Sequence, residues 1–346
     1  MRIGLIMFRH PPDRESPIMP EVIRLLSEWG ATVDPIYPEE QLTDLDLVRV
    51  DHDLYVLKSG TELALCLGGA LHAAGAALLN PYPIAVMMRD KIVATRALQA
   101  VGIPIPETYV TADVEQLIPL LDQGPLIVKP YRGSQGRGIQ LVRRPDELSQ
   151  LVLGQDPVFA QRYHKPQGPD LKIYRIGDQV FGVKRIWPAQ TYQEKLGEPF
   201  VLTPELQEIT WRCGEAFGIS LYGLDVILSD GQPYVVDASS FPGFKGVPDA
   251  PVHLANYIYS MAGRVLNYHL PQGGGSVKAG EVAYHEGSDH WSWSNRLWLG
   301  GAVAAGFRLR GGFRGPYPGH SGPSESAGAV QSTSGGQCFC SGDSCQ

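Results

Sequence analysis

Cysteine, long apolar runs and excess positive charge are all scarce in this chain, and each shortage removes a class of protein. Of five cysteines, Cys66 and Cys213 stand alone, while Cys338, Cys340 and Cys345 crowd the last nine positions. No Cys-x-x-Cys pair or histidine cluster accompanies them, which argues against a disulfide framework and a structural zinc site. No segment offers the roughly 20 apolar residues that span a bilayer. The closest, Leu63 to Leu79, carries His72 and three glycines and is expected to be a buried helix. At the N-terminus Arg9, His10, Pro11 and Pro12 interrupt an apolar run shorter than the ~7 to 15 residues of a secretory leader. A cytoplasmic location with no membrane partner is therefore expected. The net charge of -7 argues against nucleic acid as a partner, since backbone phosphates need a positive excess.

What remains is an ordinary globular composition, 43% hydrophobic and 19% charged over 346 residues, with room for two or three domains of ~100 to 200 residues. After His269 five Lys and Arg balance five Asp and Glu, so the whole excess of negative charge lies before that point. An anionic substrate would then need a local cluster of cations. Up to about Ala262, β-rich runs alternate with helical patterns, the mark of α/β architecture. From Leu270 onward there is no isoleucine, Gly and Ser are dense, and Trp291, Trp293 and Trp298 follow no period. Residues 267–346 are expected to be a disordered tail; its single Leu309 to Gly315 stretch resembles an RNA-binding RGG segment.

The chain opens as βαβ, with strands expected at 3–8 and 32–37 around a helix at 18–29. After a strand at 53–58, Ser59 reads as an N-cap with Glu62 completing a capping box. Lys58 and free helix amides would then meet at a strand's C-terminal end, a natural anion site, or else an exposed lysine beside an ordinary cap. A second unit starts near Asn80-Pro-Tyr-Pro83. Its expected helix, Arg89 to Val101, stops at Gly102 before Pro104 and Pro106. A strand near Thr108, a helix from Asp113 to Leu121 and strands at 126–129 and 138–142 follow.

Three features point to chemistry. The first is Lys129 followed by a glycine-rich loop with Gly133, Ser134, Gln135, Gly136 and Gly138, then a β-rich run. Such glycines let amides turn onto phosphate oxygens, but the following strand excludes both a Walker loop and a Rossmann turn. The second is the hairpin from Leu221 to Ser239. With Gly231 at the centre of the turn, Asp225 lies opposite Asp237 with Cβ atoms ~5 Å apart. Like charges that close need neutralising, and a hard divalent cation does so; Ser239, on the same face, adds a third oxygen. The third is a pair of strands around Gly177-Asp178, bearing Asp170, Lys172, Lys184 and Arg185 near their outer ends. Cations on a sheet facing a metal-phosphate site stabilise a transferring phosphoryl group.

In this order, the three features resemble the ATP-grasp superfamily over residues 1–262. Asp237-Ala-Ser-Ser-Phe-Pro-Gly-Phe-Lys-Gly-Val247 looks like the metal-binding strand and following loop of two branches. The RimK-type carboxylate-amine ligases are similar also at Arg89-Asp-Lys91 and Gly133 to Gly138. The inositol 1,3,4-trisphosphate 5/6-kinases are similar at Leu57-Lys58, Leu79 to Pro83 and Phe241 to Val247. The resemblance implies an N-terminal open parallel sheet (1–85) and an ATP-grasp part of α+β type (86–266), with a central lid (105–157) and a C-terminal antiparallel sheet (158–266). It implies that Lys91 and Lys129 hold ATP phosphates under the 133–138 loop. Gln161, Arg162 and Tyr163 would form the hinge against adenine, with Asp170 also on the nucleotide. Asp225, Asp237 and Ser239 would bind Mg2+, with Mn2+ as an alternative, and Arg185 and Lys184 would serve the transferring group. Arg9, Lys58, Lys172 and Lys245 are the expected substrate contacts.

Two departures stand out. Both branches usually carry Asn where Ser239 stands, a shorter neutral donor that weakens the hold on a second Mg2+. The hinge position commonly filled by Glu is Arg162. The function implied is an ATP-dependent ligase that joins a small-molecule or peptide carboxylate to an amine through an acyl phosphate. The alternatives are an inositol polyphosphate kinase and an inactive nucleotide-binding module.

Overall fold

The structure, a computed structural model, describes residues 1–11, 16–132, 138–151, 156–186, 191, 194 and 196–269. Of the expected tail 267–346, residues 267–269 are helical; the rest, with its cysteines and RGG stretch, lies outside the described residues, as do Gly133, Ser134, Gln135 and Gly136. The described residues all belong to the first of the chain's two units, Met1–Trp298.

Three sheets make the frame. The first is parallel, ordered β2 (Thr32–Ile36), β1 (Arg2–Ile6), β3 (Leu54–Leu57), β4 (Leu78–Leu79). β1 and β3 are almost wholly buried, as expected of strands covered on both faces. The helices α1 (Ile18–Glu28) and α2 (Glu62–Ala73) connect its strands. The chain then passes through α3 (Tyr82–Arg89) and α4 (Lys91–Ala100) into a four-stranded antiparallel sheet. Its order is β5 (Thr108–Thr111), β8 (Val158–Arg162), β6 (Leu126–Pro130), β7 (Gln140–Val142), with the short helices α5 (Ile118–Leu121) and α6 (Pro145–Leu148) beside it. The third sheet is antiparallel, ordered β11 (Glu198–Phe200), β10 (Gln179–Arg185), β9 (Asp170–Ile176), β12 (Leu221–Ser229), β13 (Gln232–Ser239). The helix α7 (Pro204–Phe217) packs on one face of it through Leu206, Ile209 and Phe217.

The last helix, α8 (Ala250–His269), returns to the beginning of the chain. Leu254, Ile258 and Ala262 share one core with Ile3, Leu5, Leu26, Ile176 and Phe244. Tyr259 meets Trp29 edge to face at 5.8 Å and donates its hydroxyl to the Trp29 carbonyl. Two sheets and a helix distant in sequence are thus sealed by one apolar cluster. Among the described residues no helix is long and apolar enough to cross a membrane.

Several local expectations are corrected. The run Leu63 to Leu79 is a helix only to Ala73 and ends as the edge strand β4, because Gly75, at φ +88°, breaks it. The N-cap of α2 is Thr61, whose hydroxyl accepts from the Ala64 amide; Ser59 instead accepts from Thr61. Arg89 closes α3, and Asp90 restarts the helix by accepting from the Ile92 and Val93 amides. The segment after Asp113 begins as a 3-10 turn (Val114–Leu117) and becomes α5 only at Ile118, where Pro119 fits a first helical turn.

Candidate functional site

The β12–β13 hairpin turns on two residues, Asp230 and Gly231, both with positive φ, which is the turn that suits strand twist. Ser229 therefore pairs with Gln232, Val226 with Val235, and a regular ladder would set Asp225 against Val236. In that ladder Asp237 would share a face with Val235, which is buried in the apolar core under α7. A bulge at Val236 prevents this: the next pairs are Asp225 with Asp237 and Gly223 with Ser239. One extra residue turns the Asp237 side chain to the opposite face. The two aspartates do stand opposite each other, through a bulge rather than through a turn centred on Gly231.

Lysines neutralise both carboxylates. Lys91, the first residue of α4, lies 3.2 and 3.3 Å from the two Asp237 oxygens. A cation at a helix N-terminus is unfavourable on its own, and Asp237 offsets that. On the other side, Lys172 of β9 stands directly across from Asp225 and hydrogen-bonds its Oδ2. The Lys129 ammonium, at the end of β6, donates to Gln161 Oε1 at 2.8 Å and to the Val236 carbonyl at 3.0 Å. That carbonyl belongs to the bulge residue, so the same irregularity orients Asp237 and anchors Lys129. Gln161 Nε2 in turn reaches Thr108 Oγ1 at 3.1 Å.

Burial sets the electrostatics. It pushes the Lys129 ammonium down to about 8, with Asp237 opposing and Lys91 assisting. It holds the Asp237 carboxyl above the usual carboxylate range, against Lys91 and with the help of Asp225. Asp170 is raised in the same way, by burial first, with Lys172 opposing and Asp225 assisting. A carboxyl that burial makes costly to ionise, as at Asp237, accepts a cation readily. Two facing carboxylates with a nearby hydroxyl are hard oxygen donors and fit one Mg2+, which takes one or two carboxylates and completes its shell with phosphate oxygens and water.

Strand parity sorts the remaining candidates. Asp170, Lys172, Tyr174, Arg185, Asp225 and Asp237 all lie on one face of the third sheet. Arg185 donates to Tyr174 Oη and to the Lys245 carbonyl, both at 2.8 Å. Lys184 is on the other face, opposite the buried Leu171 and over the Phe200 ring, so the structure does not bring it to the carboxylates. Adjacent strand residues point apart, and only one of Lys184 and Arg185 could face the site. Ser239 is exposed at the end of the ladder.

The space beside the carboxylates is a narrow cleft between the second and third sheets, lined by Lys91, Thr95, Ile105, Phe159, Gln161 and Asp237. A second cleft of about 340 Å³ shares Ile105 with it and is lined also by Glu107, Arg162, His164 and Tyr234, whose ring stacks on His164 at 4.0 Å. Arg162, expected at the hinge, donates to the Leu120 and Gly124 carbonyls and so braces the second sheet against α5. The Tyr163 amide bonds the Pro125 carbonyl. Gly138, with φ +73° and Pro130 Cγ only 2.9 Å from where a Cβ would stand, shows that the end of the glycine-rich loop requires glycine.

At the junction of the first and third sheets, Lys58 Nζ donates to the Phe241 carbonyl at 3.2 Å and lies over that ring. Burial and the neighbouring Lys245 push its ammonium down to about 8. Arg9 pairs with Glu40 at 2.6 Å and covers the Tyr37 ring. Asn80, which sequence reasoning left without a role, is buried and donates to the Leu221 and Ser240 carbonyls, tying the end of β4 to the first residue of β12 and to the residue that follows β13.

Relatives give this arrangement a family. The sequence model of the RimK-like ATP-grasp domain matches residues 88–261. A probable alpha-L-glutamate ligase of Stenotrophomonas maltophilia (strain K279a) is 30% identical over 228 residues, 62% of this chain and 77% of that protein. Another, from Trichodesmium erythraeum (strain IMS101), is 26% identical over 185 residues, 49% of this chain. That match spans 62% of the relative, about three-fifths of its length. Among solved structures, a RimK domain ATP-grasp protein from Sphaerobacter thermophilus shares the fold, with a TM-score of 0.60 at 19% identity over 75% of this chain and all of the other. The expected ATP-grasp fold is thereby borne out, and the chain belongs to the RimK-like ATP-grasp family.

Proposed function

We propose that the chain is an ATP-dependent carboxylate-amine ligase that uses Mg2+, with Mn2+ as an alternative. The observation that carries this reading is the pair of aspartates facing each other across the bulged hairpin, within reach of Lys91 and beside Lys129. Lys91 and Lys129 hold nucleotide phosphates, the latter already fixed between Gln161 and Val236. Asp225 and Asp237 hold the metal, which when bound neutralises charge on the transferring group. A substrate carboxylate oxygen attacks the γ-phosphorus as the bond to the bridging oxygen of ADP breaks. Arg185, braced by Tyr174, faces the charge that spreads over the phosphoryl oxygens. An amine then attacks the acyl phosphate carbon, phosphate leaves, and the nitrogen loses a proton. Positioning and charge neutralisation do most of the work.

L-glutamate is the first amine to test, because the relatives' names specify it. Lys58 and Lys245, together at one sheet junction, suit a carboxylate of the substrate. The location proposed is the cytoplasm, where ATP and Mg2+ are supplied. The experiment is ADP release with Mg-ATP, comparing L-glutamate plus acidic peptides with inositol phosphates. Release that requires both amine and carboxylate supports the ligase. Amine-independent release with inositol phosphates replaces it by a kinase, and nucleotide binding without turnover on either mixture rejects an active enzyme for these substrates.

A further inference from the structure

The row of side chains that holds the carboxylates extends one strand beyond them. Across β9, β12 and β13 and on to α4 it reads Lys172, Asp225, Asp237, Lys91: a cation, two anions, a cation. Neighbouring strands in such a row are ~4.8 Å apart. The two lysines differ in kind. Lys91 rises from a helix start and has nucleotide phosphate as its proposed partner. Lys172 is set in the same sheet as Asp225, on the directly opposite rung, and both belong to a continuous ladder of six pairs. The ladder keeps the Lys172 Cβ beside that of Asp225, and the Lys172 ammonium reaches Asp225 Oδ2 from there.

The donors available decide how many metal ions fit. Mg2+ wants six oxygens at about 2.1 Å and takes one or two from carboxylates. One ion between Asp225 and Asp237 meets that need, although Lys172 already engages Asp225 Oδ2. A second ion would have to share Asp237 and draw on Ser239, a neutral hydroxyl exposed at the end of the ladder. It would also enter a space where Lys91, Lys129, Lys172 and Arg185 already stand against the carboxylates of Asp170, Asp225 and Asp237.

We infer that this site takes one divalent cation per nucleotide, and that Lys172, fixed on Asp225, supplies the positive charge a second ion would otherwise bring. The inference rests on the proposed nucleotide-dependent reaction and assigns Lys172 a positioning and charge-compensating role instead of the substrate contact expected from the sequence.

The test is a Mn2+ titration of the full chain, with and without a non-hydrolysable ATP analogue, with free ion followed by electron paramagnetic resonance. The wild-type protein is expected to bind one Mn2+ per bound analogue. Lys172→Met is expected to bind two, and to bind Mn2+ without nucleotide roughly fivefold more tightly, because Asp225 has lost its resident cation. Lys172→Arg restores a stoichiometry of one. Two ions in the wild type overturn the inference and leave the ligase reading standing, as does a Lys172→Met protein with unchanged stoichiometry and affinity. Failure of the analogue to bind overturns the ligase reading and this inference with it. The wild-type stoichiometry decides even if Lys172→Met does not fold.

Discussion

Asp237→Asn separates the site's chemistry from its stability. The amide keeps the volume and hydrogen-bonding shape of the carboxylate and removes one unit of charge. Two effects on folding oppose each other. The ion pair with Lys91 is lost, but with 32% of the Asp237 side chain exposed it contributes no more than ~1 kcal/mol. The repulsion between Asp225 and Asp237 across the ladder is also lost, which returns ~0.2 to 1 kcal/mol, and the burial cost of the charge goes with it. The net change in stability should stay within ~1 kcal/mol, a shift of only a few degrees in Tm for a chain of this size. Catalysis has no such compensation. Removing a unit charge ~4 Å from the reacting phosphoryl group forfeits ~4 kcal/mol at an effective dielectric constant near 20. That is roughly a thousandfold in rate. Thermal melting and coupled ADP release on the same preparation measure both quantities. A variant with wild-type turnover and an unchanged melt would refute the metal assignment, and one that fails to fold would refute the stability reasoning.

Other outcomes follow from individual residues. The Lys58 ammonium, lowered to about 8 by burial and Lys245, takes up fewer protons in the folded than in the unfolded state between pH 8 and about 10.5. Stability of the wild type relative to Lys58→Met should therefore rise with pH across that window, by about 1.4 kcal/mol per pH unit at most, in urea titrations; a flat difference would mean that Lys58 is not desolvated. Asn80→Ala leaves the Leu221 and Ser240 carbonyls without their donor and should lower the unfolding free energy by about 2 kcal/mol, read from denaturant midpoints. Gly246→Ala sets a Cβ 2.0 Å from the Leu196 carbonyl at φ +82° and should lower Tm and raise KM for substrate, since the same loop carries Lys245. An unchanged melt for that variant would show that the loop adjusts freely.

The opposed aspartates were legible because a hairpin with apolar flanks has few registers. The bulge that completes the opposition was not, since nothing in Tyr-Val-Val-Asp marks which valine leaves the ladder. Parity was available and would have separated Lys184 from Arg185: consecutive strand residues point apart, and Leu171 opposite Lys184 is apolar. The same rule distinguishes Gln161, turned to Lys129, from Arg162, turned to α5. Capping motifs misplaced the start of α2 because Ser59 and Thr61 both carry hydroxyls, and only the backbone decides which one reaches the Ala64 amide. The contact between Asn80 and two carbonyls ~140 to 160 residues away lay beyond any local pattern.

The closing of α8 over the parallel sheet bears on how this protein can be cut. The family match begins at residue 88, yet Leu254, Ala255, Ile258 and Ala262 are wholly buried in a cluster that includes Ile3, Leu5 and Leu26. An excised 88–261 piece would end before Ala262 and would take from Leu254, Ala255 and Ile258 the part of this cluster supplied by Ile3, Leu5 and Leu26. At ~1.5 to 3 kcal/mol for each of Leu254 and Ile258, that loss is a sizeable part of the ~5 to 15 kcal/mol that keeps a typical protein folded. Expression trials, fusions and split-reporter designs should therefore keep the first strand and the final helix in the same polypeptide.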